Sequence, residues 1–170
     1  MRLNEKEQGL AALLGQRLVD KGWMFACAES CTGGLLAAAM TDTAGASQWF
    51  DLGFVTYSNR AKVEQLGVSE DTLERFGAVS EETAMEMASG VLEAATPAHL
   101  AVSVTGIAGP DGGTPGKPVG MVCFGFAQRT LGGVTTRAAT KIFEGDRAAI
   151  RRAAVDFALR TALDLLPAPL

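Results

Sequence analysis

The stretch HLAVSVTG, from His99 to Gly106, constrains the fold of this chain most strongly. It is almost continuously apolar, which is typical of a β-strand that is buried on both faces. A strand covered on both faces needs a layer of helices on each side of its sheet. The stretch therefore predicts a layered α/β protein.

Helical and strand-like segments alternate along the chain. The residue patterns predict helices over 4–21, 32–41, 59–66, 69–77, 80–95 and 144–166, and strands over 23–28, 49–58, 99–106, 121–130 and 133–143. The last two strands are expected to form a hairpin that turns at 131–133. We therefore expect residues 1–170 to form a single three-layer α/β/α domain with a mixed, mostly parallel sheet.

Composition and charge disfavour several classes of function and cellular location. The chain has 170 residues, a formal net charge of −4 and no cluster of Lys or Arg, so nucleic acid is disfavoured as a partner. No apolar run reaches the roughly 18–20 residues of a membrane span. The segment Met1–Glu7 is typical of a charged helix start and not of a secretory signal. Three cysteines without zinc-site spacing favour a reduced, cytoplasmic location.

The segment CAESCTGG joins a predicted strand to a predicted helix. Ser30 at this junction is expected to expose its hydroxyl beside unpaired helix N–H groups, which favour a ligand phosphate or a developing oxyanion. Gly33 and Gly34 let a substrate come close to the backbone. From these residues alone, three interpretations stay open: a nucleophile, a phosphate site, or Ser30 or Thr32 as a helix cap.

The segment YSNRAK holds the only tyrosine of the chain, Tyr57, at the end of a predicted strand, and Lys62 on the following helix. A lysine deprotonates a serine only when it is neutral, so its pKa must fall from about 10.4 to about 7–8. A tyrosine hydroxyl beside it can pass the proton or orient the pair. The alternative is an exposed helix lysine without a catalytic role.

The segment TGIAGPDGGTPGKPVG, over 105–120, contains six glycines and three prolines. It is long for a structureless connection in a compact domain, which favours a binding loop whose amides can hold an anion. The alternative is a plain surface loop. Ligands of open α/β sheets bind beyond the carboxyl ends of the strands, so all three segments are expected to meet at one edge of the sheet.

Other chemistries are disfavoured. His99 is the only histidine and begins a strand, so a Ser-His-Asp triad has no base elsewhere. No set of side chains with metal-ligand spacing is present. A nucleophilic enzyme built on this chain would therefore use a lysine base. Arg147 and Arg151 lie four residues apart on one face of the last predicted helix, where they contact either a phosphate or solvent.

AESCTGG, GFVTYSNRAK and SVTGIAGPDGGTPGKPVG, in this order, resemble the CinA C-terminal domain family, the nicotinamide-nucleotide amidohydrolases. The resemblance extends from about residue 10 to residue 166. It implies hydrolysis of the carboxamide of nicotinamide mononucleotide to nicotinate mononucleotide and ammonia, in pyridine nucleotide salvage. The serine nucleophile of the family falls on Ser30, its lysine base on Lys62 and its tyrosine on Tyr57. Larger members carry an additional N-terminal domain, and this chain resembles the stand-alone form.

The expected mechanism assigns the remaining site residues. Helix N-terminal amides near Thr32, Gly33 and Gly34 are expected to bind the oxyanion. The glycine-rich loop is expected to hold the ribose and phosphate together with Arg147; its binding residues are Gly106, Ile107, Ala108, Gly109 and Gly112. This scheme requires no metal or organic cofactor. We expect a homo-oligomer, with a dimer as the specific guess.

Three alternatives remain at this point. The chain can be a non-catalytic nucleotide-binding or regulatory module linked to competence or the DNA-damage response, although such a module does not need Ser30 and Lys62 as a pair. It can also be an enzyme for another amide or ester, since pocket shape sets that choice. A purely structural interaction protein leaves the glycine-rich loop unexplained.

Overall fold

The computed structural model describes residues 5–166. The elements are α1 (Glu5–Lys21), β1 (Phe25–Glu29), α2 (Leu35–Thr41), β2 (Phe50–Val55), α3 (Asn59–Leu66), α4 (Glu70–Phe76), α5 (Glu81–Ala94), β3 (Leu100–Gly106), β4 (Met121–Thr130), β5 (Gly133–Ile142) and α6 (Arg147–Leu165), with a 3₁₀ turn at Ala46–Gln48. The predicted helix start at residue 4, and residues 1–4 of the segment interpreted as a charged helix start, lie outside the described residues. No helix within 5–166 has the length and apolar character that crossing a membrane requires.

The five strands form one mixed sheet in the order β2-β1-β3-β4-β5. β1 pairs in parallel with both β2 and β3, whereas β3–β4 and β4–β5 are antiparallel. Because β5 reverses the direction of β4, it runs the same way as β1, β2 and β3. The predicted hairpin is confirmed, since Thr130 pairs with Gly133 across a two-residue turn.

Two apolar cores lie on the two faces of the sheet. On one face, α1, α2 and α6 pack on large side chains such as Phe25, Val102 and Phe124. On the other face, α3 and α5 pack on small ones such as Ala28 and Ala101. The side chains of β3 are buried from Leu100 to Thr105, on both faces. The expected three-layer α/β/α arrangement is therefore confirmed.

Small residues let the helices of the second face approach the sheet and each other at backbone distance. A Cβ at Gly125 of β4 would lie 2.1 Å from the Ala84 carbonyl oxygen of α5, and one at Gly90 of α5 would lie 2.0 Å from the Leu66 carbonyl oxygen of α3. Neither position has room for a side chain. These contacts hold α3, which carries Lys62, at a fixed place relative to the sheet.

The predicted start of the second helix differs from the observed one. The second helix begins at Leu35 and not at residue 32, because Gly33 and Gly34 have φ angles of 57° and 107°, which no right-handed helix contains. α3 begins at Asn59 as predicted, and its N-cap is Ser58, whose hydroxyl accepts the Ala61 amide at 3.0 Å. The other predicted boundaries hold to within a few residues.

Candidate active site

The three segments singled out in the sequence meet beyond the carboxyl ends of β1, β2 and β3. The Ser30 amide donates to the Val104 carbonyl at 2.9 Å, and the Thr56 amide donates to the Glu29 carbonyl at 2.9 Å. His99 lies at the other end of β3, where its Nδ1 accepts the Met24 amide and its ring stacks on Trp23. The single histidine is therefore remote from Ser30.

Ser30 and Lys62 form a buried pair. The Lys62 side chain extends from α3 back under the end of β2 and is 1% exposed, while Ser30 is 7% exposed. Lys62 Nζ lies 3.0 Å from Ser30 Oγ, and it also contacts the carbonyl oxygens of Thr56 at 2.9 Å and Tyr57 at 3.1 Å. The Ser30 hydroxyl lies 3.3 Å from the same Tyr57 carbonyl.

These surroundings favour a neutral lysine. Burial lowers the pKa of Lys62 from 10.5 to about 8, because the charged form loses its hydration. Its hydrogen-bond acceptors within the described residues are two carbonyls and one hydroxyl, with no carboxylate to restore the charge. A neutral amine has two N–H groups and one lone pair. The two carbonyls can take the N–H groups, which leaves the lone pair facing the Ser30 hydroxyl.

The turn after Ser30 is organised by the buried carboxylate of Glu29. This side chain is 0% exposed and accepts hydrogen bonds from the Thr32 hydroxyl at 2.6 Å, the Leu36 amide at 2.7 Å and the Ala37 amide at 3.1 Å. Glu29 thus occupies the amides of the second and third residues of α2. The interpretation of Ser30 or Thr32 as the helix cap is wrong, because neither hydroxyl accepts an α2 amide.

Some backbone amides of the turn after Ser30 already have a hydrogen-bond acceptor, and others do not. The Gly33 amide donates to the Ser30 carbonyl at 3.1 Å, and the Leu35 amide donates to the Thr32 carbonyl at 3.1 Å. The Thr32 amide has no hydrogen-bond acceptor among residues 5–166. Gly34 closes the turn as the residue before α2. Of the amides considered for an oxyanion, those of Thr32 and Gly34 have no acceptor among residues 5–166, whereas that of Gly33 is engaged.

Tyr57 and Arg147 form a second contact at the same edge. The Tyr57 side chain is 59% exposed, and its hydroxyl accepts a hydrogen bond from Arg147 Nη2 at 3.1 Å. Arg147 Nη1 donates to the Gly109 carbonyl at 2.7 Å. Tyr57 therefore presents its carbonyl, and not its hydroxyl, to the Ser30–Lys62 pair.

The glycine-rich loop begins at the end of β3 and is folded back on itself. Gly106 is the last residue of β3, and the Ile107 carbonyl accepts the Gly120 amide at 2.7 Å. Ala108 and Gly109 are buried, whereas Gly112 is exposed. The Gly109 contact with Arg147 joins this loop to the start of α6.

The sequence profile of the CinA C-terminal domain matches residues 7–166. The chain belongs to the CinA C-terminal domain family. Two relatives named nicotinamide-nucleotide amidohydrolase PncC are similar over nearly their whole length: one from Enterobacter agglomerans is 61% identical, covering 91% of this chain and 92% of its own, and one from Escherichia coli K12 is 53% identical, covering 89% and 90%.

A solved structure of the same family has the same fold. The competence/damage inducible protein CihA from Agrobacterium tumefaciens superposes with a TM-score of 0.89 at 44% identity, covering 97% of this chain and 99% of that one.

Two charged residues of this family member's site were missed in the sequence. The sequence shows Glu29 only as part of the AESCTGG motif, although a carboxylate at the end of a buried strand needs hydrogen-bond donors around it. The sequence leaves Arg151 open between a phosphate contact and solvent, yet its guanidinium lies on the backbone of the Ser30 turn. Within the described residues, no group of three or more His, Cys, Asp or Glu side chains could hold a metal ion.

Proposed function

We propose that this chain hydrolyses the carboxamide of nicotinamide mononucleotide to nicotinate mononucleotide and ammonia, with Ser30 as the nucleophile and Lys62 as the general base. The observation that carries the proposal is the buried Lys62 amine, 3.0 Å from the Ser30 hydroxyl. Its lowered pKa of about 8 makes it a base near neutral pH. The two PncC relatives, at 61% and 53% identity, support the choice of substrate.

In the acylation step, Ser30 Oγ forms a bond to the carboxamide carbon while its proton moves to Lys62 Nζ. The free Thr32 amide donates a hydrogen bond to the resulting oxyanion. When the tetrahedral intermediate collapses, the C–N bond breaks and Lys62 returns the proton to the leaving nitrogen as ammonia. An acyl ester on Ser30 remains.

In the deacylation step, water attacks the ester carbon and gives a proton to Lys62. Collapse expels the Ser30 alkoxide, which takes this proton back, and the product acid gives its remaining proton to solvent and leaves as a carboxylate. The carbonyls of Thr56 and Tyr57 keep the amine oriented throughout, because they bind its N–H groups. Tyr57 thus acts on the base through its backbone.

The rest of the nucleotide is proposed to lie over Arg147, the Tyr57 ring and the loop residues Gly106, Ile107, Ala108, Gly109 and Gly112. The Arg147 guanidinium donates hydrogen bonds to the Gly109 carbonyl and the Tyr57 hydroxyl. These contacts orient its positive charge for a phosphate. No cofactor is part of this scheme.

The non-catalytic nucleotide-binding alternative is less well supported. Its phosphate would bind to the amides at the start of α2 and to the glycine-rich loop, and at α2 the Leu36 and Ala37 amides are already bound to the Glu29 carboxylate. The loop alone would also leave the buried Ser30–Lys62 pair without a role.

The setting of the reaction is part of the proposal. All three cysteines, Cys27, Cys31 and Cys123, are free and buried, which supports a reducing cytoplasm. We further propose a homo-oligomer, with a dimer as its simplest form, and no nucleic-acid partner.

Ammonia release from nicotinamide mononucleotide by the purified protein tests the proposal. We expect turnover by the parent, and a fall of kcat by at least about 10³-fold in both Ser30→Ala and Lys62→Met. Ser47→Ala and Lys6→Met are the matched controls, because both side chains are exposed and neither contacts Ser30 or Lys62; they should keep the parent rate.

Rapid acid quench of the parent should trap an acyl ester on Ser30, detected by mass spectrometry of the peptide that contains it. Retention of the parent rate by Ser30→Ala would exclude the covalent mechanism and leave attack by an activated water. A parent that binds the nucleotide but releases no ammonia would support the binding module.

A further inference from the structure

We propose that Arg151 is a positioning residue: its guanidinium, seated on the carbonyls of Cys31 and Thr32, aims and polarises the Thr32 amide that binds the oxyanion. Arg151 therefore acts on the turn and does not bind the substrate phosphate. This inference rests on the proposed function, and its test includes a readout that does not depend on the substrate.

The contacts of Arg151 are made with backbone. Its Nε donates to the Cys31 carbonyl at 3.1 Å, and its Nη2 donates to the Thr32 carbonyl at 3.2 Å. The residue projects from α6, nearly 120 positions further along the chain, so the contact depends on the tertiary fold. A Cβ at Gly33 would lie 3.4 Å from Nη2, which shows how closely the guanidinium rests on the turn.

Peptide geometry turns this contact into a constraint on the oxyanion donor. The Cys31 carbonyl and the Thr32 N–H belong to one peptide unit, and within residues 5–166 the only cis peptide is Gly109–Pro110. In a trans unit the C=O and N–H bonds point in opposite directions. Arg151 therefore directs the Thr32 N–H away from itself and leaves it without competition from its own donors.

The same contact strengthens the donor. A cation on the carbonyl oxygen withdraws electron density through the peptide and makes the N–H at its other end more acidic. Glu29 holds the Thr32 side chain at 2.6 Å, so the residue is fixed through its side chain as well as its backbone. The turn is thus held by one buried anion and one cation.

A phosphate role for Arg151 is less well supported. Two of its N–H directions are already used by the turn. Arg147, one helical turn earlier, contacts the exposed Tyr57 hydroxyl and the loop carbonyl of Gly109, which places it on the nucleotide side of the site. The two arginines therefore have different tasks.

The experiment compares Arg151→Met, Arg151→Lys and Arg151→Ala with Arg160→Met. Arg160 lies on the same helix and makes only an exposed contact with Asp156, so its loss should leave the rate unchanged. For Arg151→Met we expect kcat on nicotinamide mononucleotide to fall about 100-fold, the size of effect of a lost oxyanion contact, with KM within about threefold. The pH profile should keep its inflection because Lys62 is untouched.

Arg151→Lys should recover little, because an ammonium cannot donate to both carbonyls in the fixed geometry of a guanidinium. Arg151→Ala should regain part of the rate when low millimolar guanidinium is added, and Arg160→Met should not respond to it. A merely structural role would produce no such rescue.

Labelling of Ser30 by a fluorophosphonate supplies the independent readout. The Ser30 oxygen bonds to phosphorus, fluoride leaves, and the phosphoryl oxygen uses the same amide donor. We expect Arg151→Met to slow this labelling about as much as it slows kcat. Raised KM with unchanged kcat and normal labelling would overturn the inference and assign Arg151 to the phosphate. If the parent labels but releases no ammonia, the proposed function fails while the labelling ratio still decides the role of Arg151.

Discussion

The helices that surround the site begin in two different ways. α3, α5 and α6 each follow a residue whose side chain accepts the amide three positions ahead: Ser58, Ser80 and Asp146, at 3.0, 3.1 and 2.9 Å. α2 follows Gly34, which provides no side-chain cap. The amides of its second and third residues are bound instead by Glu29, which belongs to the preceding strand.

This difference explains how Ser30 is kept for chemistry. The hydroxyl oxygen of a serine next to a helix start normally accepts a hydrogen bond from a backbone amide of that helix. In α2 the Glu29 carboxylate takes the amides, two glycines delay the helix, and the Ser30 hydroxyl faces Lys62. Glu29 therefore holds the start of α2, while its neighbour Ser30 is available for catalysis. Substitutions should affect stability and activity separately.

Glu29→Gln should have the largest effect on stability. A carboxamide accepts through one oxygen and presents N–H groups through the other side, so at least one of the three donors to Glu29 loses its buried acceptor. We expect the free energy of unfolding to fall by about 3 kcal/mol. Urea denaturation followed by circular dichroism measures this.

The matched control is Glu64→Gln. Glu64 makes an exposed ion pair with Arg60 on α3, so its loss should change the free energy of unfolding by less than about 0.5 kcal/mol. Equal stability of Glu29→Gln and the parent would mean that the carboxylate does not hold α2, and the contrast between the helix starts would disappear.

The pH dependence of activity should distinguish Ser30 from the capping hydroxyls, because only Ser30 depends on a titrating partner. With a Lys62 pKa of about 8, the neutral base is scarce at acidic pH and dominant at alkaline pH. We expect kcat/KM to rise about 100-fold from pH 6 to its alkaline plateau. Initial rates of ammonia release measure it, with circular dichroism at each pH as the control for folding. A profile flat across this range would contradict Lys62 as the base.

Much of this arrangement could be predicted from local sequence. The caps Ser80 and Asp146, the stop at Gly67 and the apolar strand β3 depend on residues within a few positions of each other, and the structure contains all four. The placement of Ser30 and Lys62 at one edge followed from strand direction.

The rest depends on contacts that local patterns do not contain. Nothing near Glu29 in the sequence says that its side chain turns towards α2, since Ser30 and Thr32 offer an equally good local cap. The contact of Arg151 with the Ser30 turn spans most of the chain, and the Tyr57 carbonyl is a backbone group without a residue signature. The packing of α6 on one face of the sheet and of α3 on the other determines the Arg151 contact with the turn and the Lys62 contact with the Tyr57 carbonyl.

Lys62→Met should stabilise the protein at neutral pH while it removes activity. From pH 8 to about 10.5 the unfolded chain holds a proton on Lys62 that the folded chain has released, so parent stability rises with pH across this window. Below pH 8 the parent carries the full cost of the buried amine. After an allowance for the two carbonyls that lose their donor, we expect a gain of about 2 kcal/mol at pH 7.

Urea denaturation of Lys62→Met and the parent at pH 7 and pH 10.5 measures this difference, and the gain should shrink at the higher pH. Lys6→Met, an exposed site, should show no such trend. A destabilised Lys62→Met at pH 7 would mean that the Lys62 hydrogen bonds outweigh its burial.

Ser80→Ala should have the smallest effect on stability. Unlike Lys62→Met, it should lower the stability and leave the activity intact. The Ser80 hydroxyl accepts the Thr83 amide and donates to the Gly77 carbonyl at 2.9 Å, on the far side of the sheet from α2. Its loss should lower the free energy of unfolding by about 1 kcal/mol and leave kcat unchanged, because no contact joins it to Lys62 or Ser30. Thermal denaturation and ammonia release on the same sample measure both. If Ser80→Ala lost activity in parallel with stability, the start of α5 would also position the site, and structural and catalytic tasks would not be separate in this fold.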